Sequence, residues 1–183
     1  SAFYSIKPEY TGPGKIVVTG IGLDGRDGGV QLDFVTGRVT GGQRLDVTSG
    51  DIKLGVPENT LPDGTSLVLL PTAAPDGQGE LRPISQTIAI SPGAAPLKRS
   101  ASLLIPGMSS DAGGISQTQV ALFRQQDNTW IFETAATVAA KGIFRSEITR
   151  FGRFAVMADT TPPRVRINGV QYTEEGMIIS VHL

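Results

Sequence analysis

The sequence predicts an all-β protein, and three observations support this prediction. Short runs of alternating apolar and polar residues recur along the whole chain, as in strands with one buried and one solvated face. Segments rich in glycine, aspartate and proline separate these runs, and such residues tolerate turn dihedrals. The best helical candidate, residues 134–142, contains β-branched residues and has no capping box before it, so we interpret it as a strand or a loop with a short turn. Strands at this spacing predict an antiparallel β-sandwich.

The individual strands follow from the alternation and from the turn residues between them. In chain order, the predicted strands are residues 15–22, 29–37, 51–57, 65–71, 86–92, 100–106, 118–124, 129–134, 143–149, 153–159, 164–168 and 177–183. The segment "QQDNTW" lies between two alternating runs and predicts a tight hairpin. Three strands run directly into Pro57, Pro71 and Pro106. Because proline cannot donate a ladder hydrogen bond, each should end the pairing or lie at a sheet edge.

The amino-acid composition argues against several classes of protein. Only 18% of the residues are charged and the formal net charge is −1, so no strong field favours nucleic acid or an anionic membrane. The chain has no cysteine, which excludes a thiol nucleophile, a disulfide and a thiolate metal site, and favours a bacterial or cytosolic origin. No apolar run approaches the roughly 20 residues that span a bilayer.

The chain divides into three regions. Residues 1–48 contain glycine-rich strands that either form a small separate module or extend the sandwich, and residues 49–159 form the sandwich itself. In residues 160–183, Pro162-Pro163 favours a stiff spacer before two further strands. A pair of strands is only marginally stable alone, so we expect these strands to begin another module and the chain to be part of a longer polypeptide.

Three segments between residues 50 and 159 share an order of strands, turns and prolines with a known family. "GDIKLGVPENTLPDGTSLVLLP" (50–71) has a strand ending in proline, a turn, a leucine, another turn and a strand. "ISQTIAISPGAAPLKRSASLLIPG" (84–107) has a strand, a "P-G" turn and a strand ending in proline, and 120–159 closes with a tryptophan strand and a final strand pair. Together they resemble the ZU-type β-sandwich shared by ankyrins, netrin receptors and zonula-occludens proteins, in the variant found in bacterial surface proteins. Residues 159–183 likewise resemble the start of a bacterial immunoglobulin-like repeat.

Some members of the ZU-type group cleave their own chain at one position of the sandwich. In this sequence, that position is occupied by Arg150, Phe151 and Gly152. The self-cleaving pattern is a histidine, an apolar residue, and a serine or threonine whose hydroxyl attacks the preceding carbonyl while the histidine assists proton transfer. Here arginine stays protonated and cannot act as a base, and glycine has no oxygen with which to attack. We therefore predict no self-cleavage, and we interpret the segment as a bulge or bend where the chain passes between sheets.

Aromatic residues supply the candidate binding contacts. Trp130 and Phe132 alternate in one strand, so both should point to the same face. We interpret Trp130 as a core residue. If that face were exposed, an aromatic strip formed with Phe123 could stack against sugar rings.

Acidic turn residues and the single histidine are weaker candidates. Asp24 and Asp27 lie beside glycines and could suit calcium, but the loop lacks the alternating acidic ligands and closing glutamate of an EF-hand. We interpret this loop as an ordinary hairpin turn, and the "PDG" segments at Asp63 and Asp76 in the same way. His182, the only histidine, is interpreted as a solvated strand residue rather than a catalytic or zinc-binding one.

These observations predict a non-catalytic structural, spacer or interaction module of a larger secreted or cell-surface bacterial protein. No cofactor or metal is expected, and the expected partners are neighbouring domains of the same polypeptide, with no nucleic acid and no membrane insertion. The alternative is a carbohydrate- or protein-binding module accessory to an enzymatic or adhesive domain, with a glycan or protein ligand. A hydrolase or self-processing protein is the third hypothesis.

Overall fold

A computed structural model describes residues 10–21, 27–93, 96–108, 119–140, 142–159, 166–173 and 176–182. Regular structure in these residues consists of β strands, and every strand pair is antiparallel. Most strands belong to two sheets that share a core, which confirms the prediction of an all-β sandwich.

The first sheet has eight strands. They are β1 (Gly12–Ile21), β2 (Asp27–Arg38), β5 (Ser66–Thr72), β6 (Leu81–Pro83), β7 (Thr87–Ser91), β9 (Val120–Gln126), β10 (Thr129–Ala135) and β13 (Arg153–Asp159). Their order is β1-β2-β5-β7-β13-β9-β10, and β6 pairs with β13 outside this path.

The second sheet has five strands, in the order β11-β12-β8-β4-β3. They are β3 (Leu45–Ser49), β4 (Ile52–Val56), β8 (Pro96–Pro106), β11 (Thr137–Ala140) and β12 (Ile143–Arg150). Two further strands, β14 (Arg166–Thr173) and β15 (Gly176–His182), pair only with each other in a separate hairpin.

The strands before residue 50 are divided between the two sheets. β2 pairs with β5 in the first sheet, and β3 pairs with β4 in the second. Residues 12–49 therefore extend both sheets. β3 and the short β6 were not among the predicted strands, whereas β11 falls within the segment interpreted as a strand or a loop.

Alternating apolar residues of both sheets form the main core. In β8 the buried positions are Ala101, Leu103 and Ile105, with partly exposed residues between them. Leu67 and Leu69 of β5 alternate in the same way on the facing sheet. Burial of these large side chains contributes about 1.5–3 kcal/mol for each one, so the two sheets cohere through a shared interior.

β13 is buried on both faces over most of its length. Residues 154–158 are all buried. Phe154 and Val156 belong to the main core, whereas Ala155 and Met157 join a second apolar cluster on the outer face of the first sheet. This strand therefore lacks the wet face that alternation alone would predict.

The local sequence accounts for the tight turn between β9 and β10. Asp127 and Asn128 both have positive φ, 47° and 65°, between the paired residues Gln126 and Thr129. Positive φ at both central residues defines the type I′ turn of a two-residue hairpin, which confirms the predicted hairpin.

Gly14 pairs with Phe34 across β1 and β2, and a Cβ on Gly14 would overlap the phenylalanine ring. The ring thus fills the space that glycine leaves on the sheet surface, a pairing known to stabilise strand glycines.

The three strand prolines lie where a missing donor is tolerated. Pro57 follows the last residue of β4, and Pro106 is the last residue of β8. Pro71 lies within β5 and pairs with β7, but the pairing of β5 with β2 on its other side ends at Leu69. Each proline therefore either lies at the end of a strand or has no paired strand on one of its two sides. Both positions tolerate a residue without a backbone N–H.

Candidate functional site

The segment Arg150–Gly152 is where the chain leaves one sheet and enters the other. β12 ends at Arg150 in the second sheet, and β13 begins at Arg153 in the first. Phe151 is 1% exposed and packs into the main core. The carbonyl of Gly152 accepts a hydrogen bond of 2.8 Å from the N–H of Ile90. A buried aromatic ring and a hydrogen bond to the neighbouring strand thus hold the crossing in place.

A nearly buried ion-pair cluster lies beside this crossing. Glu133 Oε2 is 2.9 Å from Arg124 Nε, and these two side chains are only 10% and 11% exposed. The other carboxylate oxygen, Oε1, is 3.8 Å from Nε of Arg150, whose side chain is 45% exposed. We call Arg124, Glu133 and Arg150 the crossing cluster. It joins β9, β10 and the end of β12, so it ties both sheets together at one corner.

A β-bulge explains how Glu133 reaches its partners. The register of β10 against β9 shifts between Phe132 and Thr134, which leaves Glu133 as the extra residue. Bulges re-aim a side chain relative to regular alternation. Arg124 follows the buried Leu122 at strand spacing, so it lies on the core-facing side of β9. Glu133 also follows Ile131 at strand spacing, so alternation and the bulge together place its carboxylate beside a guanidinium that would otherwise be buried without a counter-ion.

Sequence reasoning missed Arg124 and Glu133, although a signal was present. Val120, Leu122 and Arg124 stand in one alternating register, so an arginine occupied a position that the pattern assigned to the interior. A buried arginine needs a carboxylate partner, and Glu133 follows within the same hairpin. The bulge that allows them to meet has no comparable sequence signal.

The aromatic candidates do not form an exposed strip. Trp130 and Phe123 are each 7% exposed and belong to the second apolar cluster, whereas Phe132 is 64% exposed. The rings of Phe123 and Phe132 meet edge to face, with centroids 6.2 Å apart and planes at 89°. Only Phe132 therefore offers a ring to solvent. Trp130 and Phe123 are buried because β13 supplies Ala155 and Met157 against them, and these residues cannot serve as a stacking platform.

A cleft of about 550 Å³ lies beside Trp130 on the first sheet. We call it the Trp130 cleft. One wall is the segment of residues 73–78, which connects β5 to β6, and the opposite side is formed by the turn between β9 and β10. Its polar lining residues are Thr72, Asp76, Gln78, Thr87, Gln125, Asn128, Thr129 and Arg153. Apart from Trp130, none of its lining residues was a sequence-predicted site residue, because they come from four distant parts of the chain.

The calcium candidates are only partly covered by the structure. Asp24 lies outside the described residues, and Asp27 begins β2, where its backbone pairs with Ile21. Within the described ranges, no group of three or more histidine, aspartate or glutamate residues is placed to hold a metal ion. The same part of the chain contains no helix that is long and apolar enough to cross a membrane.

Comparison with known proteins found no matching family model and no matching curated protein. The function of this chain is therefore inferred from the geometry of the sandwich, the crossing cluster and the Trp130 cleft.

Proposed function

We propose that this chain is a non-catalytic β-sandwich module that acts as a spacer or interaction module within a larger secreted or cell-surface bacterial protein. The observation that supports this proposal best is the way in which the two sheets are joined. The main core draws residues from β3, β4, β8 and β12 of one sheet and from β5, β7, β9 and β13 of the other. Such a body resists internal motion, which is what a spacer between neighbouring domains requires.

The crossing cluster adds to this resistance at the corner where the sheets meet. Glu133 pairs with Arg124 within the first sheet and lies 3.8 Å from Arg150 of the second sheet. Because the Arg150 side chain is 45% exposed, the contact between the sheets contributes less than about 1 kcal/mol, and the buried pair mainly fixes the edge of the first sheet beside the crossing. We include a ZU-type affiliation in the proposal on the basis of the sequence resemblance of residues 50–159 alone.

The proposal excludes self-cleavage at the crossing. Arg150 lies near the Glu133 carboxylate and stays protonated, and Gly152 carries no hydroxyl.

Mechanical unfolding of the chain between two inert handles tests the spacer function. If residues 12–159 form one load-bearing body, they should unfold in a single step with a length gain of about 50 nm, from roughly 3.3–3.6 Å per residue. Successive small steps at low force would contradict the proposal. Intact mass after prolonged storage should equal the full-chain mass, and two fragments that meet near residue 151 would overturn the exclusion of self-cleavage.

A second function, ligand binding, is favoured by the Trp130 cleft. The cleft is polar and lies on the first sheet, away from the main core. A module can hold its neighbours apart and also bind a ligand on one face, so the two functions are compatible.

A further inference from the structure

We infer that the Trp130 cleft binds an acidic saccharide, with Arg153 holding the carboxylate. This inference deepens the ligand-binding function proposed above and does not depend on the spacer function. It rests on the composition of the cleft, on four polar side chains in it that have no partner among the described residues, and on the hydrogen bonds that fix its wall.

Polar residues of neighbouring strands line the cleft. Thr72 and Thr87 are register partners in β5 and β7, and the Thr72 hydroxyl donates to the Thr87 carbonyl at 3.4 Å. Gln125 is the register partner of Trp130, and Arg153 is that of Ala89. Because these residues come from adjacent strands of one sheet, a ligand that lies across the strands can contact several of them.

Three side chains of the cleft carry hydrogen-bond donors that have no partner among the described residues. Within the described part of the chain, the side chains of Arg153, Gln125 and Asn128 make no hydrogen bond or ion pair. An arginine presents paired donors that match the two oxygens of a carboxylate. The neighbouring amides can donate to further oxygens of the same ligand.

Asp76 adds the complementary chemistry. Its carboxylate lines the cleft and, like the donors, has no partner among the described residues. Ionised aspartate accepts hydrogen bonds from hydroxyl groups. A ligand that carries one carboxylate and several hydroxyls satisfies both sides of the cleft, and acidic saccharides such as uronic acids have this composition.

The wall over the cleft is fixed by hydrogen bonds that need no ligand. The backbone N–H of Trp130 donates to Gln78 Oε1 at 2.7 Å, and the N–H of Leu81 donates to the Gln78 carbonyl at 3.0 Å. Pro75 further restricts this segment. Preorganisation reduces the entropy lost on binding. The volume of about 550 Å³ also falls within the range of roughly 300–1,000 Å³ that small-molecule sites occupy.

A saccharide fits this cleft better than an acidic peptide does. Protein interfaces derive most of their affinity from apolar or aromatic anchors that enter well-packed pockets. Here the single tryptophan is 7% exposed and already packed in the second apolar cluster. The other apolar lining residues, Ala73, Ala74 and Pro75, are small, so the cleft offers a peptide no large apolar or aromatic anchor site. The exposed Phe132 is not among the lining residues.

Titration of the intact chain with three probes tests the inference. The probes are a tetrasaccharide of galacturonic acid, neutral cellotetraose of the same length, and a hexapeptide of glutamate. Because Trp130 is the only tryptophan of the chain and lines the cleft, its fluorescence reports binding at this site, and calorimetry gives the affinity. We expect the acidic tetrasaccharide to bind at least about tenfold more tightly than cellotetraose, since a charge-assisted hydrogen bond is lost with the neutral sugar.

Two matched substitutions complete the test. R153Q should weaken binding of the acidic tetrasaccharide by about tenfold or more, with an unchanged melting temperature because Arg153 is exposed. R38Q, which changes another exposed arginine of the same sheet outside the cleft, should leave affinity within about twofold. Equal binding of both sugars, binding of the peptide alone, no binding of any probe, or equal effects of R153Q and R38Q would each overturn the inference. The spacer function would survive all four outcomes, since its test is mechanical.

Discussion

Replacement of Glu133 by glutamine should destabilise the protein far more than replacement of Arg150. In E133Q the Arg124 guanidinium remains 11% exposed and loses the carboxylate that now lies 2.9 Å away. Removal of one partner of a buried ion pair costs about 3–5 kcal/mol. Glutamine retains one acceptor oxygen and Gln126 still accepts from Arg124 at 3.3 Å, so we expect about 2–4 kcal/mol for E133Q. R150Q breaks only a 3.8 Å contact of a side chain that is 45% exposed, and should cost less than about 1 kcal/mol.

Urea unfolding monitored by Trp130 fluorescence and by circular dichroism measures both effects. For a denaturant dependence of about 2 kcal/mol per molar urea, E133Q should lower the midpoint by about 1–2 M. E147Q is a matched control, because Glu147 pairs with Arg145 on the exposed outer face of the second sheet. The E133Q effect should persist in 1 M NaCl, where exposed pairs are screened within about 3 Å. If E133Q lost less than about 0.5 kcal/mol, or no more than R150Q, the buried pair of Glu133 and Arg124 would not contribute to the stability of the sandwich.

Three further sets of substitutions test the packing and one of the turns. F151A should lower the free energy of unfolding by about 3–5 kcal/mol because the Phe151 ring is fully buried. F132A should lower it by less than about 1 kcal/mol because Phe132 is 64% exposed. Thermal unfolding of the two variants measures both losses. G14A should cost about 1–2 kcal/mol because the added methyl displaces the ring of Phe34, and the double variant with F34A should recover part of this loss in urea titrations. N128G should stabilise the hairpin by a few tenths to about 1 kcal/mol, and N128V should destabilise it, because φ is 65° at this residue; a reversed order would contradict the type I′ turn.

Features that depend on neighbouring residues could be predicted from the sequence. Alternation located most strands within a few residues of their observed ends, since the period of two reflects one buried and one solvated face. The Asp127-Asn128 turn could be predicted because these residue types tolerate positive φ. The strand β3 was missed because "LDVTS" has only two apolar residues and lies near the turn glycines of residues 41–42.

Features that depend on long-range contacts could not be predicted in this way. Alternation placed Trp130 and Phe132 on one face, but it could not show that the tryptophan is buried in a cluster with Met157 while the phenylalanine stays exposed at the sheet edge. The Trp130 cleft likewise joins Asp76, interpreted as a simple turn residue, to Arg153, which the sequence shows only as the first residue of a predicted strand. Residues so far apart in the sequence share no local pattern from which their contact could be predicted.

Native-state hydrogen exchange most directly tests the central claim that both sheets belong to one cooperative body. The best protected amides of β2, β5 and β7 in the first sheet and of β4, β8 and β12 in the second should exchange through one global opening, with free energies equal within about 1 kcal/mol. Their dependence on denaturant should also be the same. If the amides of β2 and β4 opened at much lower free energy than those of β7 and β8, residues 12–56 would unfold independently and the claim would be contradicted.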